Sequence, residues 1–169
     1  IISSLEWAYS TGENLLVALL CLCVHVFWRD RARASEILHY LPWGMAAAEV
    51  ISEATNRRED RLRLATLALT YAQVLRDVGK LDEAEQRLLH LRDIFHRESN
   101  QQGEGEAFAA LGQISRLRGR LEEAGEYYEQ SLPLLRLLRD QRGEGEILTY
   151  LGQIAKDSGQ LEKAQRYYE

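Results

Sequence analysis

Proline, cysteine and methionine are scarce in this chain, at 2, 2 and 1 among 169 residues. With only Pro42 and Pro133 to interrupt it, the backbone is free to be helical over long stretches. Cys21 and Cys23 are too few for a disulfide framework. Two residues apart on a helix, they point to different sides, and a bridge between them would strain it. They read as reduced, small hydrophobes of a cytoplasmic protein. No apolar run reaches the roughly 18–20 residues that span a bilayer. The longest, Leu15–Trp28, has 14 residues, is broken by His25, and reads as a buried helix. No cationic stretch precedes it and no cleavage pattern follows, so neither a signal peptide nor a membrane partner is expected. A basic stripe is also missing. The formal net charge is −5 and Lys and Arg are dispersed, which argues against nucleic acid as a partner.

Catalytic and metal-binding patterns are absent too. His25, His39, His90 and His96 are scattered, and no His, Cys or Asp group has metal-ligand spacing. There is no Gly-x-Ser-x-Gly, no Cys–His arrangement and no Walker loop. Acid pairs such as Glu122–Glu123 read as solvated helix starts. The chain is therefore expected to be non-enzymatic, with no cofactor and no metal.

What the sequence does contain is repetition. Residues 100–129 and 140–169 are identical at 16 of 30 positions at an offset of 40. Gly79, Gly119 and Gly159 fall in register, as do Leu81, Leu121 and Leu161, then Ala84, Ala124 and Ala164. Asp60, Asn100 and Asp140 also align. The pattern fades before Leu41, and Gly44 stands at the alanine position.

Within one unit, apolar residues at 107, 108, 111, 114 and 117 mark one face of a helix. Gly119 stops it, because glycine enters the left-handed cap without steric cost. A second helix follows, with apolar positions 121, 124, 127, 128, 132, 134 and 135 and acids in its first turn. Each unit is thus a pair of antiparallel helices. Gly112 and Gly152, with Ala72 one unit earlier, lie inside the first helix. A mid-helix glycine costs roughly 1 kcal/mol against alanine, so these positions imply close backbone approach. Ala124 and Ala164 are the expected partners. Of the pairs Tyr127–Tyr128 and Tyr167–Tyr168, the second member is expected to pack within its unit and the first to meet the next unit or water.

Leu111, Gly112, Gly119, Ala124 and Tyr128 resemble the tetratricopeptide-repeat pattern in spacing, and Leu151, Gly152, Gly159, Ala164 and Tyr168 repeat it. Tyr71, Ala72, Gly79, Ala84 and Leu88 match more loosely, and Phe108 stands where the family often has Trp. The period of 40 resembles a long-helix variant. The resemblance implies an all-α, right-handed solenoid of helix pairs, with residues 58–169 forming repeats at about 60–99, 100–139 and 140–169. Residues 1–57 form a divergent helical segment. There, helices are read to Tyr9, from Glu13 to Asp30, from Ala34 to Tyr40, and from Pro42 to about Arg57.

"GEGE" occurs at Gly103–Glu106 and at Gly143–Glu146. A dinucleotide fingerprint would need a third glycine where Phe108 and Leu148 stand, and a strand before it. The motif is instead read as the link from one unit's second helix to the next unit's first.

The resemblance also assigns an inner face to the first helices. By family position it carries Gln73, Gln113 and Gln153, then Arg76, Arg116 and Lys156, with Glu106 and Glu146, and Leu69, Ala109 and Thr149. Amides beside cations suit a peptide backbone and acidic groups. The expected function is a protein- or peptide-binding scaffold. "SLEWAYSTGEN" and "FWRDR" loosely resemble the start of the repeat region in bacterial signal-transducing ATPases, which implies a sensor or interaction region of a larger signalling protein. A groove for a small signalling peptide in a regulator, or a structural oligomerisation arm, are the alternatives. The last unit stops within its second helix. Further repeats, exposure of Leu161, Ala164 and Tyr168, and self-association through this uncapped end are expected.

Overall fold

The structure is a computed structural model that describes residues 2–30 and 34–169; the side chains of residues 2, 22 and 24–30 lie outside the description. Among the described residues every regular element is an α-helix. They are α1 (Ile2–Ser10), α2 (Asn14–Asp30), α3 (Ala34–Thr55), α4 (Arg58–Asp77), α5 (Leu81–Arg97), α6 (Gln101–Leu117), α7 (Leu121–Leu137), α8 (Gln141–Asp157) and α9 (Leu161–Tyr168). Up to α4, and again from α6 to α9, each helix packs on the next, as expected of the all-α solenoid that the period implies. Two compact units divide the chain, Ile1–Arg87 and Leu88–Glu169.

In the first unit α1, α2, α3 and α4 pack in order around Leu5, Val17, Cys21, Ile37, Leu41 and Leu67. The α2 run is not wholly buried, contrary to the sequence expectation. Val17, Ala18 and Cys21 face the core, whereas Leu15 is 56% exposed. A uniformly apolar run has no polar face to reveal which side turns inward. His25 and the rest of Val24–Trp28 lie outside the described side chains, as does all of "FWRDR".

The two helices expected on either side of Pro42 are one helix, with Pro42 inside it. An interior proline costs about 3 kcal/mol through its missing N–H and its clash with the preceding turn. The buried stripe of Ile37, Tyr40, Leu41, Gly44, Ala47 and Ala48 runs unbroken through it and offsets that cost. At Gly44 an added β-carbon would fall 2.5 Å from Cβ of Cys21. The Cys21 thiol donates to the Tyr40 carbonyl at 3.6 Å. Burial pushes its pKa to about 11, against a smaller lowering by the Gly44 backbone. Cys23 is exposed, so the two sulfurs do point to different sides.

In the second unit, helix starts and stops follow local chemistry. Asn100 and Asp140 cap α6 and α8, each accepting from the N–H three residues on, Gly103 and Gly143, at 3.0 Å. Asp60 stands in the same register but lies inside α4, where it is buried and accepts from Thr55 at 2.7 Å and Arg63 at 2.8 Å. Within each pair the turn is made by Gly119 or Gly159, at φ 73° and 74°. Their following residues, Arg120 and Gln160, donate to Ser115 and Ala155 in a Schellman closure.

The links between pairs differ from the sequence expectation. "GEGE" is not the link; it lies in the first two turns of α6 and α8. The left-handed residues are Ser99 and Arg139, at φ 52° and 58°. The helices begin earlier than the glycines because Asn100 and Asp140 cap them there.

The glycines inside the first helices do permit close approach, but to rings. An added β-carbon at Gly112 would lie 2.6 Å from the Tyr128 ring, and at Gly152 it would lie 2.5 Å from Tyr168. At Gly103 it would run into Phe95. The expected partners Ala124 and Ala164 are fully or nearly buried one turn earlier. The ring outranks them because it reaches from the second helix across to the first. Ala164 is thus not exposed at the chain's end, although Leu161 and Tyr168 are. Leu117, assigned to the apolar face, is 55% exposed in the last turn of α6. Tyr128 is fully buried as expected, while Tyr167 reaches back to Glu129 of the preceding pair, its hydroxyl donating at 3.1 Å.

Gly112→Ala should destabilise the protein by about 1–3 kcal/mol, because the fully buried Tyr128 ring cannot retreat. Gly152→Ala should be nearly neutral in chemical denaturation. Tyr168 is 53% exposed and free to swing, and alanine returns about 1 kcal/mol of helix propensity. Equal losses at the two sites would refute this reading of the ring contacts. At neutral pH a chromogenic thiol reagent should titrate one fast cysteine, Cys23, in the native protein and both after denaturation.

Candidate functional site

Helices α6 and α8 are the first helices of successive pairs, and the candidate residues of the second unit lie on them. Arg116 stands in the last turn of α6 and Lys156 in the last turn of α8. The helix dipole favours a cation at both places, so each is helix-stabilising as well as available. The Arg116 guanidinium lies 5.1 Å above the ring centroid of Tyr150 in α8. Tyr150 in turn stacks on Tyr128 at 5.3 Å, with 18° between the planes. Tyr128 is the ring seated on Gly112. One line of contacts therefore runs from the packing glycine through two tyrosines to the exposed cation.

The polar neighbours lie along the same two helices. Gln113 is half-buried on α6. The Gln153 amide donates to Asp157 at 2.7 Å. Lys156 is exposed and makes no ion pair among the described residues. Glu106 accepts from Gln102 at 3.1 Å and Glu146 from Arg142 at 3.2 Å, each one helical turn away. The face thus has acids near the helix starts, amides in the middle and cations at the ends. Ala109 is half-buried and Thr149 exposed, its hydroxyl turned back to the Gly145 carbonyl at 2.8 Å.

In the first unit, Gln73 is half-buried. Arg76 forks onto its neighbour Asp77, with Nε at 2.8 Å and Nη2 at 2.6 Å. Leu69 does not line this face; it is buried, as an apolar residue adjoining the Ala65–Ala68–Ala72 stripe would be. Tyr150 and the acids Asp77 and Asp157 were missed by sequence reasoning. Tyr150 stands at the register position of Ala110, so periodicity carried no sign of it. The acids were legible only as i, i+1 and i, i+4 partners of Arg76 and Gln153.

The glutamates of "GEGE" have their own partners. Glu104 meets His96 at 2.9 Å and Glu144 meets Arg136 at 2.7 Å. His96 and Arg136 are themselves 40 residues apart, so this staple between the end of one pair and the start of the next repeats with the period. With the third N–H of each helix already bonded to its cap, the loop offers little to a phosphate.

The tetratricopeptide-repeat description matches residues 63–137 and again 105–169, which together cover more than half of the chain. The chain belongs to the tetratricopeptide-repeat family. Among solved structures it is similar to BtubC (BKLC) from P. vanneervenii, with a TM-score of 0.74 and 16% identity over 91% of this chain. It spans 61% of that chain's length. It is also similar to pilF of Pseudomonas aeruginosa, with a TM-score of 0.56 and 17% identity, covering 92% of this chain and 75% of that one. At such identities the likeness speaks for the fold. No curated protein sequence matches. As a repeat protein of this family, the chain is a protein-interaction scaffold in the general sense. Among the described residues no helix is long and apolar enough to cross a membrane, and no group of His, Cys, Asp and Glu could hold a metal.

Replacing Asn100 or Asp140 by Ala should cost about 1 kcal/mol each, since each removes the side-chain acceptor for a helix N–H. Urea denaturation of the two variants checks this. Asn100→Asp should be close to neutral, because the acceptor is kept.

Proposed function

We propose that the α6–α8 face of this repeat protein binds an extended peptide segment carrying acidic side chains or a terminal carboxylate. The observation that supports it most is the Arg116–Tyr150–Tyr128 line. The ring fixes the position of the guanidinium while leaving its edge to donate to an oxyanion. Lys156 supplies a second cation at the equivalent turn, and Gln113 and Gln153 supply amides that can bond a peptide backbone. Gln73 and Arg76 are the same residue types one period earlier in the sequence. We divide the repeats at about 60–99, 100–139 and 140–169.

Within a longer parent we place this scaffold as the sensor or interaction region of a signalling ATPase. The support for that is the loose resemblance of the amino-terminal segment. A Walker loop encoded upstream in the parent gene would support the assignment, and its absence would remove it.

Arg116→Glu combined with Lys156→Glu should abolish capture of an acidic peptide in fluorescence anisotropy, with the melting temperature shifted by no more than a few degrees. Single changes should weaken capture about tenfold, as expected for loss of one charge-assisted contact. Unchanged capture by the double variant would sink this reading. A concentration-dependent change of mass on charge reversal, without loss of peptide, would point instead to an oligomerisation arm.

A further inference from the structure

Helix α8 also lines a cavity. Leu151, Ile154, Ala155 and Ser158 lie roughly opposite Gln153 and Lys156 at 100° per residue, and they form the floor of a cavity of about 230 Å³. Its walls are α7 and α9. Glu122, Glu126 and Glu129 come from one side, Lys163 and Tyr167 from the other.

The cavity is made by residue choice. Gly125 faces it, and an added β-carbon there would meet nothing within 4 Å. One period earlier the chain carries Glu85 at the Gly125 position, Arg118 at Ser158 and Arg120 at Gln160. Relative to that period, three larger charged side chains are replaced by small or neutral ones. A mid-helix glycine without a packing partner costs roughly 1 kcal/mol against alanine. At Gly112 that cost is explained by the Tyr128 ring; at Gly125 nothing in the fold explains it.

Acids outnumber bases in the lining, three glutamates against Lys163. Lys163 and the Tyr167 hydroxyl both donate to Glu129, at 3.4 and 3.1 Å, so that carboxylate is neutralised within the site. Among the described residues no base pairs with Glu122 or Glu126. The carboxy-terminal end of α8, which carries partial negative charge, forms part of the floor. The site therefore combines an apolar base, an aromatic wall and two carboxylates that, among the described residues, have no basic side-chain partner.

We propose that this cavity binds a free small organic cation, an amine or guanidinium on a short aliphatic stem. The stem lies over Leu151 and Ile154 and the charged head lies between Glu122 and Glu126. Such a ligand would bridge α7 and α9 and tighten the stacking of two successive pairs, on the side of α8 away from Arg116.

The test is a nuclear magnetic resonance titration of the full chain with butylguanidinium, and with butanol as its neutral counterpart. Saturable shifts are expected for amides of Gly125, Ser158 and Lys163 with the cation and not with the alcohol. Glu122→Gln with Glu126→Gln should weaken binding about tenfold or more. Gly125→Gln adopts the residue found one period later at 165, fills the cavity, and should remove binding while the protein melts no lower. The Arg116→Glu, Lys156→Glu variant should bind the cation unchanged, which separates this site from the peptide face. Absence of saturable shifts, an equal response to butanol, or full binding by Gly125→Gln would overturn the proposal. The tripeptide Gly-Arg-Gly should bind at least tenfold more weakly than butylguanidinium, in the same approximate terms; equal binding would overturn the small-molecule assignment in favour of a protein side chain.

Discussion

A tyrosine ring seated on a glycine of the neighbouring helix is the contact on which the second unit depends. Gly112 has no side chain because the Tyr128 ring occupies that space. Any β-carbon there would force either the ring or the helix to move, and a close-packed interior does not accommodate such shifts cheaply. The same contact recurs 40 residues later between Gly152 and Tyr168, and Phe95 over Gly103 applies the device at the start of α6. The repeat is thus held by aromatic rings filling space that glycine vacates, with small alanines such as Ala124 and Ala164 packed beside them.

The ring contact also governs the candidate face on α6 and α8. Tyr128 is stacked by Tyr150, and Tyr150 carries the Arg116 guanidinium. A cation on a long, flexible side chain ordinarily costs entropy to immobilise. Here an aromatic platform, itself fixed by buried packing, limits that freedom. Arg76 illustrates the contrast, since its guanidinium is committed to the adjacent Asp77. Equivalent positions in the repeat are therefore not equivalent in chemistry, and the difference comes from neighbours outside the repeated pattern.

Much of the fold was legible because it is local or periodic. The 40-residue offset, the glycines at 79, 119 and 159 and the acids after them located the pairs and their turns. Two readings failed where local signals conflict with packing. Pro42 marks a helix boundary by its own chemistry, yet a continuous buried stripe carries α3 through it. "GEGE" suggests a loop by composition, yet Asn100 and Asp140 start the helices ahead of it, and Gly103 and Gly105 face Phe95 and Leu134. In α2 the apolar run could not show that Leu15 faces outward, because periodicity needs contrast between faces.

The sequence by itself determined that this is a helical repeat, where each pair turns, and which polar residues recur on the first helices. These follow from hydrogen bonding and periodicity within a few residues of the chain. The tertiary structure alone decided that Tyr128 and not Ala124 closes on Gly112, that Tyr150 supports Arg116, and that Gly125 opens a cavity instead of sealing one. Those outcomes depend on the direction and reach of side chains from helices some 16 to 40 residues away, which no local pattern encodes.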